Sequence, residues 1–175
     1  MQLPTVSSRL EAIPVSAVRK LVPYANEAKK QGVKVYHLNI GDPDIETPQP
    51  MIDVLRNWDV ATIRHANSSG ETEFMKAMTS YYHWLGYTSI AQEHMIATVG
   101  GSEAVLMAFL ALCDRGDEIL VFEPFYSNYA AIASIAGVTI KAIPTEISKG
   151  FHLPDKRTIL SHITACAKRP TAAAA

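Results

Sequence analysis

Apolar and polar positions settle into a regular rhythm near residue 94. The run Met95 to Val99 stops at Gly100-Gly101-Ser102, and a strongly apolar segment of helical length follows over 102–114. A strand-like run at 118–122, a helical segment at 126–136 and a second strand-like run at 138–143 come next. Gly116 and Gly137 fall just past the two helical segments, where left-handed C-terminal caps belong. Strands at 95–99, 118–122 and 138–143 alternating with helices predict an α/β fold of parallel strands joined by right-handed crossovers. The segment 153–164 offers one more helix.

Before residue 94 the pattern is looser. Val15, Val18, Leu21, Val22 and Ala25 mark one face of a helix over 15–32, bent or interrupted by Pro23 and stopped by Gly32. "KVYHLNI" (34–40) alternates like a half-buried strand and runs into "GDPDIETPQP", a loop dense in turn formers. Helices are expected at 50–58, with Pro50 at the first position, and at 70–86, with Phe74, Met78, Tyr81 and Leu85 at helical spacing.

Hydrophobic residues make up 48% of the 175 residues and charged residues 19%, enough to build a core in one ordinary domain or part of a larger one. A net charge of -1 gives no electrostatic reason to expect nucleic acid or an anionic membrane. The longest apolar run, Ala104 to Cys113, is far short of the roughly 20 residues of a membrane span. The opening "MQLPTVSSRLEAIP" lacks the apolar centre of a signal peptide. Two scattered cysteines, Cys113 and Cys166, suggest a reducing, cytoplasmic setting without a disulfide framework. The closing "KRPTAAAA" reads as a truncated or artificial end.

The glycine turn is the chemical question. N–H groups at a helix start lack internal acceptors, the helix dipole adds positive character there, and glycine lets an anion reach the backbone. Strand, Gly-Gly-Ser, helix is therefore a candidate phosphate cradle, or else a tight turn in which Ser102 only caps. Neither G-x-x-x-x-G-K-[ST] nor G-x-G-x-x-G occurs. Gly100 to Ala104 comes near the nucleophile elbow G-x-S-x-G, but Asp155 and His162 fall on one predicted helix, a poor geometry for a relay to Ser102. The histidines at 37, 65, 83, 94, 152 and 162 form no metal-binding spacing. The acids of "GDPD" need no role beyond their turn.

Taken together, the segments resemble the class I aminotransferases, the aspartate-aminotransferase-like branch of the pyridoxal-phosphate enzymes of fold type I, over residues 10–165. "YHLNIGDPDIETP" is similar to L-x-x-G-[DE]-P-D-x-x-x-P, and "HANSSGETEFMKAM" to Y-x-x-x-x-G-x-x-E-L-R-x-A. "VGGSEAV" resembles the family's cofactor turn, and "GDEILVFEPFYSNY" resembles G-D-E-V-x-x-x-x-P-x-Y-x-x-Y. The resemblance implies that Gly100, Gly101, Ser102 and the backbone of Glu103 hold the phosphate of pyridoxal 5'-phosphate. It implies that Tyr126 stacks on the cofactor ring and that Gly41 lies at the substrate α-carboxylate. His65 stands where the family has a tyrosine reaching the neighbouring subunit's phosphate, so a homodimer is implied as well.

The same resemblance assigns residues 1–48 to an N-terminal arm and the start of the small domain. Residues 49–175 become the N-terminal part of the large domain, a mostly parallel sheet flanked by helices and incomplete in this chain. The family's Schiff-base lysine lies beyond this stretch, and none of the lysines here sits in S-x-S-K. The expected function is amino transfer between an amino acid and a 2-oxo acid by a longer enzyme, this chain alone being inactive. A β-lyase or synthase of the same fold is one alternative. A non-catalytic relative serving as a binding or assembly module is another.

Overall fold

The computed structural model describes residues 18–164 continuously, with Thr5, Ser7, Ser8, Glu11, Ile13 and Ser16 before them. The start of the expected helix at 15–32, Cys166 and the closing alanine tract lie wholly or partly outside the described residues. The chain divides into two units, one taking residues up to Tyr36 together with those from Gly100 onward, the other taking His37–Val99.

In the first unit a 3₁₀ turn, Arg19–Leu21, gives way to helix α1, Val22–Lys30. Pro23 sits in the first turn of α1, where its missing N–H costs no hydrogen bond, so it marks the junction between the two helical forms. Gly32, at φ +79°, ends α1 as expected: its N–H donates to Lys29 O at 3.0 Å and that of Val33 to Ala28 O at 3.0 Å.

Helix α4 (Gly101–Leu112), strand β1 (Glu118–Glu123), helix α5 (Asn128–Ala136), strand β2 (Thr139–Pro144) and helix α6 (Lys156–Ser161) make up the rest of this unit. The strands pair in parallel, Glu118 opposite Thr139 through to Glu123 opposite Pro144, with α5 as the crossover. Among the described residues, Ile132 and Ala133 of α5, Val138 just before β2 and Ile143 of β2 form the buried core of this unit. Ile143, at 1% exposure, is the largest side chain fully enclosed. Burying such a residue contributes roughly 1.5–3 kcal/mol.

Gly137 caps α5 at φ +76°, with the Val138 N–H bonded to Ala133 O at 2.9 Å. Gly116 departs from expectation. Helix α4 ends at Leu112 with Cys113 extended, and Gly116, at φ +90°, is the third residue of a turn closed by Asp117 N to Asp114 O at 3.1 Å. That position needs a left-handed residue for its own reason. The Gly116 N–H then donates to Gly137 O at 2.9 Å, joining the entry to β1 to the end of α5. The Thr164 hydroxyl donates to the Glu118 carboxylate, which fastens the chain beyond α6 to the start of β1.

The second unit holds helix α2, Gln49–Arg56, and helix α3, Thr72–Trp84. Met75, with Met78, Thr79 and Tyr82 half-buried at successive helical steps, faces inward, whereas Phe74, Tyr81 and Leu85 are exposed. The inward face of α3 is thus rotated from the stripe read in the sequence. Gly70 packs against this face: a Cβ added there would fall 2.7 Å from Ala97 Cβ and 3.0 Å from Met75 Sδ. The Ala97 N–H donates to Ser69 O at 2.8 Å.

Two expected strands do not form among the described residues. Residues 34–40 and 95–99 run without strand pairing among the described residues. The alternation of the first and the apolarity of the second suit a strand, but a strand also needs a neighbour whose N–H and C=O groups complete its ladder. Local pattern cannot supply one.

Two outcomes test this description. Gly70→Ala places a methyl group where Ala97 already lies and forces φ +125° on an L-residue. It should lower the unfolding free energy by roughly 2 kcal/mol or more, read as a fall in urea midpoint. Asp155 caps α6, accepting from Thr158 N at 2.9 Å and Thr158 Oγ1 at 3.2 Å. The backbone and side-chain bonds from Thr158 hold its carboxyl below the usual range. Because the folded pKa is depressed, this stabilisation is complete above the unfolded value near about 3.9 and is lost as pH falls through the folded value. The gap in melting temperature between wild type and Asp155→Ala should therefore be present at neutral pH and close in acid.

Candidate functional site

Helix α4 begins without a side-chain cap. Gly100 precedes it in extended backbone, φ 172°, and Ser102 lies in its first turn with an exposed side chain, so capping is not the role of Ser102. The Gly100 carbonyl takes the N–H groups of Glu103 at 3.1 Å and Ala104 at 3.2 Å. The N–H groups of Gly101 and Ser102, ahead of the first helical acceptor, point out of the helix end. A Cβ at Gly100 or Gly101 would meet nothing within 4 Å, and neither residue lies in the left-handed region of backbone conformation. Among the described residues no atom crowds the place of a side chain at either position. The bare backbone faces open space.

That space is a cleft of about 300 Å³ lined by Gly101, Ser102, Val105, Tyr126, Tyr129 and Ile132. Tyr126 comes from the loop between β1 and α5, after a cis Glu123–Pro124 peptide, and is 58% exposed. Its ring stands perpendicular to that of Tyr129, with centroids 5.7 Å apart and an interplanar angle of 89°. Tyr129 lies parallel to Phe125 at 6.5 Å. Asn128 Nδ2 donates to Tyr126 Oη at 2.7 Å.

The structure thus brings Gly101, Ser102 and Tyr126 to one cleft, from segments that the sequence separates by most of a βα unit. Gly100 and the half-buried Glu103 flank it on α4. Gly41 and His65 belong to the His37–Val99 unit, each exposed in an irregular segment. Tyr129, Val105 and Ile132 were not singled out by sequence reasoning. Tyr129 had a signal, its three-residue spacing from Tyr126 at the head of a helix. Val105 and Ile132 are ordinary apolar helix positions with none.

Chemically, the cleft offers an anion two main-chain donors and a serine hydroxyl at the positive end of a 12-residue helix. Beside them it offers an aromatic surface for a flat ring. Asp155 and His162 have other uses. Asp155 caps α6, and the His162 ring lies 2.9 Å from Thr158 O on the same helix, so no relay to Ser102 is assembled. Among the described residues no group of three or more His, Cys, Asp or Glu side chains could hold a metal ion, and no helix is long and apolar enough to cross a membrane.

Residues 33–169 match the family model "Aminotransferase class I and II", and the chain belongs to that family. An aspartate aminotransferase of Thermotoga maritima is 30% identical over 147 residues, covering 83% of this chain and 39% of the relative. An aspartate/prephenate aminotransferase of Thermus thermophilus is 29% identical over 160 residues, covering 91% and 41%. The crystal structure of the Thermotoga maritima aspartate aminotransferase superposes with a TM-score of 0.84 at 28% identity, covering 93% of this chain and 44% of that one. The chain therefore has the aminotransferase fold and spans about two fifths of the length of these relatives.

The open space before Gly101 yields an expected outcome that needs no ligand. Gly101→Ala should leave the unfolding free energy unchanged or raise it by up to about 1 kcal/mol, since alanine is the better helix former. A clear loss of stability in urea unfolding would mean that the glycine serves the chain's own packing.

Proposed function

We propose that this chain is part of a pyridoxal-phosphate-dependent aminotransferase passing an amino group between an amino acid and a 2-oxo acid. The observation that carries this reading is the cleft in which an uncapped, glycine-opened helix start and the ring of Tyr126 stand together. Family membership and the aminotransferase relatives support it independently. When bound, pyridoxal 5'-phosphate supplies an electron sink for the bonds at the substrate α-carbon.

The remaining roles fall to the chain. The N–H groups of Gly101 and Ser102, with the Ser102 hydroxyl, donate to the phosphate, flanked by Gly100 and the backbone of Glu103. A dianion gains there from the helix dipole. Tyr126 offers a ring face to the heterocycle and keeps water from it. The Gly41 N–H serves the substrate α-carboxylate. His65 donates to the phosphate of the neighbouring subunit in a homodimer, from the place of the family's longer tyrosine.

Residues 1–48 are read as the arm and the start of the small domain, and 49–175 as the opening of the large domain. The cytoplasm is the proposed location. The apolar surface of α4 accords with this reading. No residue of α4 is buried among the described residues, although Met107, Leu110 and Leu112 are apolar. A helix apolar on every side ordinarily lies inside a core.

Titration of the whole polypeptide with pyridoxal 5'-phosphate, followed by an amino-exchange assay with aspartate and 2-oxoglutarate, tests the reading. A yellow complex that exchanges the amino group is expected, with Gly101→Ala weakening cofactor affinity roughly tenfold through loss of close phosphate approach. A protein that binds no cofactor refutes it. One that binds cofactor but releases ammonia and 2-oxo acid belongs with the lyases of this fold.

A further inference from the structure

We propose that Asn128 is a positioning residue for Tyr126, holding the phenol so that its hydroxyl hydrogen is left to an anionic ligand in the Gly101–Ser102 cleft. The inference rests on the preceding reading for the identity of that ligand, pyridoxal 5'-phosphate, and goes beyond it in giving the hydroxyl of Tyr126, and Asn128 behind it, a role.

Three contacts hold the Tyr126 side of the cleft. Its carbonyl takes the Tyr129 N–H at 3.0 Å, its ring stands perpendicular to Tyr129, and its hydroxyl oxygen accepts from Asn128 Nδ2 at 2.7 Å. An amide nitrogen can only donate. A phenol oxygen that accepts from it therefore keeps its own hydrogen for another acceptor, and among the described residues Tyr126 has none. The same cleft is lined by Gly101 and Ser102, the donors expected to collect an anion. Asn128 is also the first residue of α5, so its backbone is fixed by the helix that crosses between the two strands. The amide and the phenol are thereby tied to the same rigid element.

The test is a double-mutant cycle in the whole polypeptide, read as the dissociation constant of 4'-deoxypyridoxine phosphate, which has the ring and phosphate but no aldehyde to react. The induced circular dichroism of the bound ring is followed alongside. Asn128→Ala and Tyr126→Phe should each raise the dissociation constant about three- to tenfold and diminish the dichroism, and the double variant should bind no worse than Tyr126→Phe alone. Asn128→Asp keeps the shape and a residue favoured at a helix start, yet its carboxylate only accepts. Its cost should be larger with Tyr126 present than with Tyr126→Phe, where only the added charge is felt. Equal costs in the two backgrounds, or an Asn128→Ala variant that binds like wild type, would overturn the positioning role while leaving the cofactor reading intact. A wild-type protein that binds neither this compound nor pyridoxal 5'-phosphate overturns both.

Discussion

Parallel pairing of β1 with β2 is the constraint on which the rest of this unit depends. Two parallel strands cannot be joined by a tight turn, because the chain must return to the end from which it started. Helix α5 makes that return over Asn128–Ala136, and Gly137, in the left-handed conformation, turns the chain directly into β2. The same crossover carries Ile132 and Ala133 down onto Ile143 and holds Tyr126 and Tyr129 at its other end. Core and cleft share one helix, and Ile132 belongs to both.

This arrangement explains why a cleft can form where so few of the described apolar side chains are buried. Loops that carry function are positioned by rigid elements beneath them. Here the loop of Phe125, Tyr126 and Ser127 is bounded by β1 on one side and α5 on the other, and the Thr145 hydroxyl and N–H both return to Glu123 O, at 2.6 and 2.9 Å. The partner surface, the head of α4, is fixed by packing of α4 against α5. No described atom stands where a Cβ at Gly100 or Gly101 would go, so the smallness of these glycines leaves room for a ligand.

The apolar surfaces tell a second story. Leu38 is 98% exposed and Val99 97%, values rare for such side chains in a finished core. Residues 95–99 form an apolar run of strand character, yet they find no ladder among the described residues. The same holds for 34–40. Helical segments do not suffer in this way, because each of their hydrogen bonds closes within four residues. Every helix expected from periodicity in the described part is present, with ends shifted by a few residues, whereas two of the four expected strands are not.

The sequence by itself determined what depends on neighbours along the chain. Periodicity located α1 to α6, Gly32 and Gly137 marked helix ends, and the Gly-Gly-Ser turn with the tyrosine after the next strand marked the residues of the cleft. Tertiary structure decided what depends on neighbours across space. It chose which runs became strands and turned the inward face of α3 toward Met75. It gave Gly116 a turn of its own instead of a helix cap, and it set Asn128, Tyr126 and Tyr129 against one another. The reason is physical: a helix turn or a cap satisfies its own backbone locally, while a strand ladder or a cleft exists only when separate segments meet.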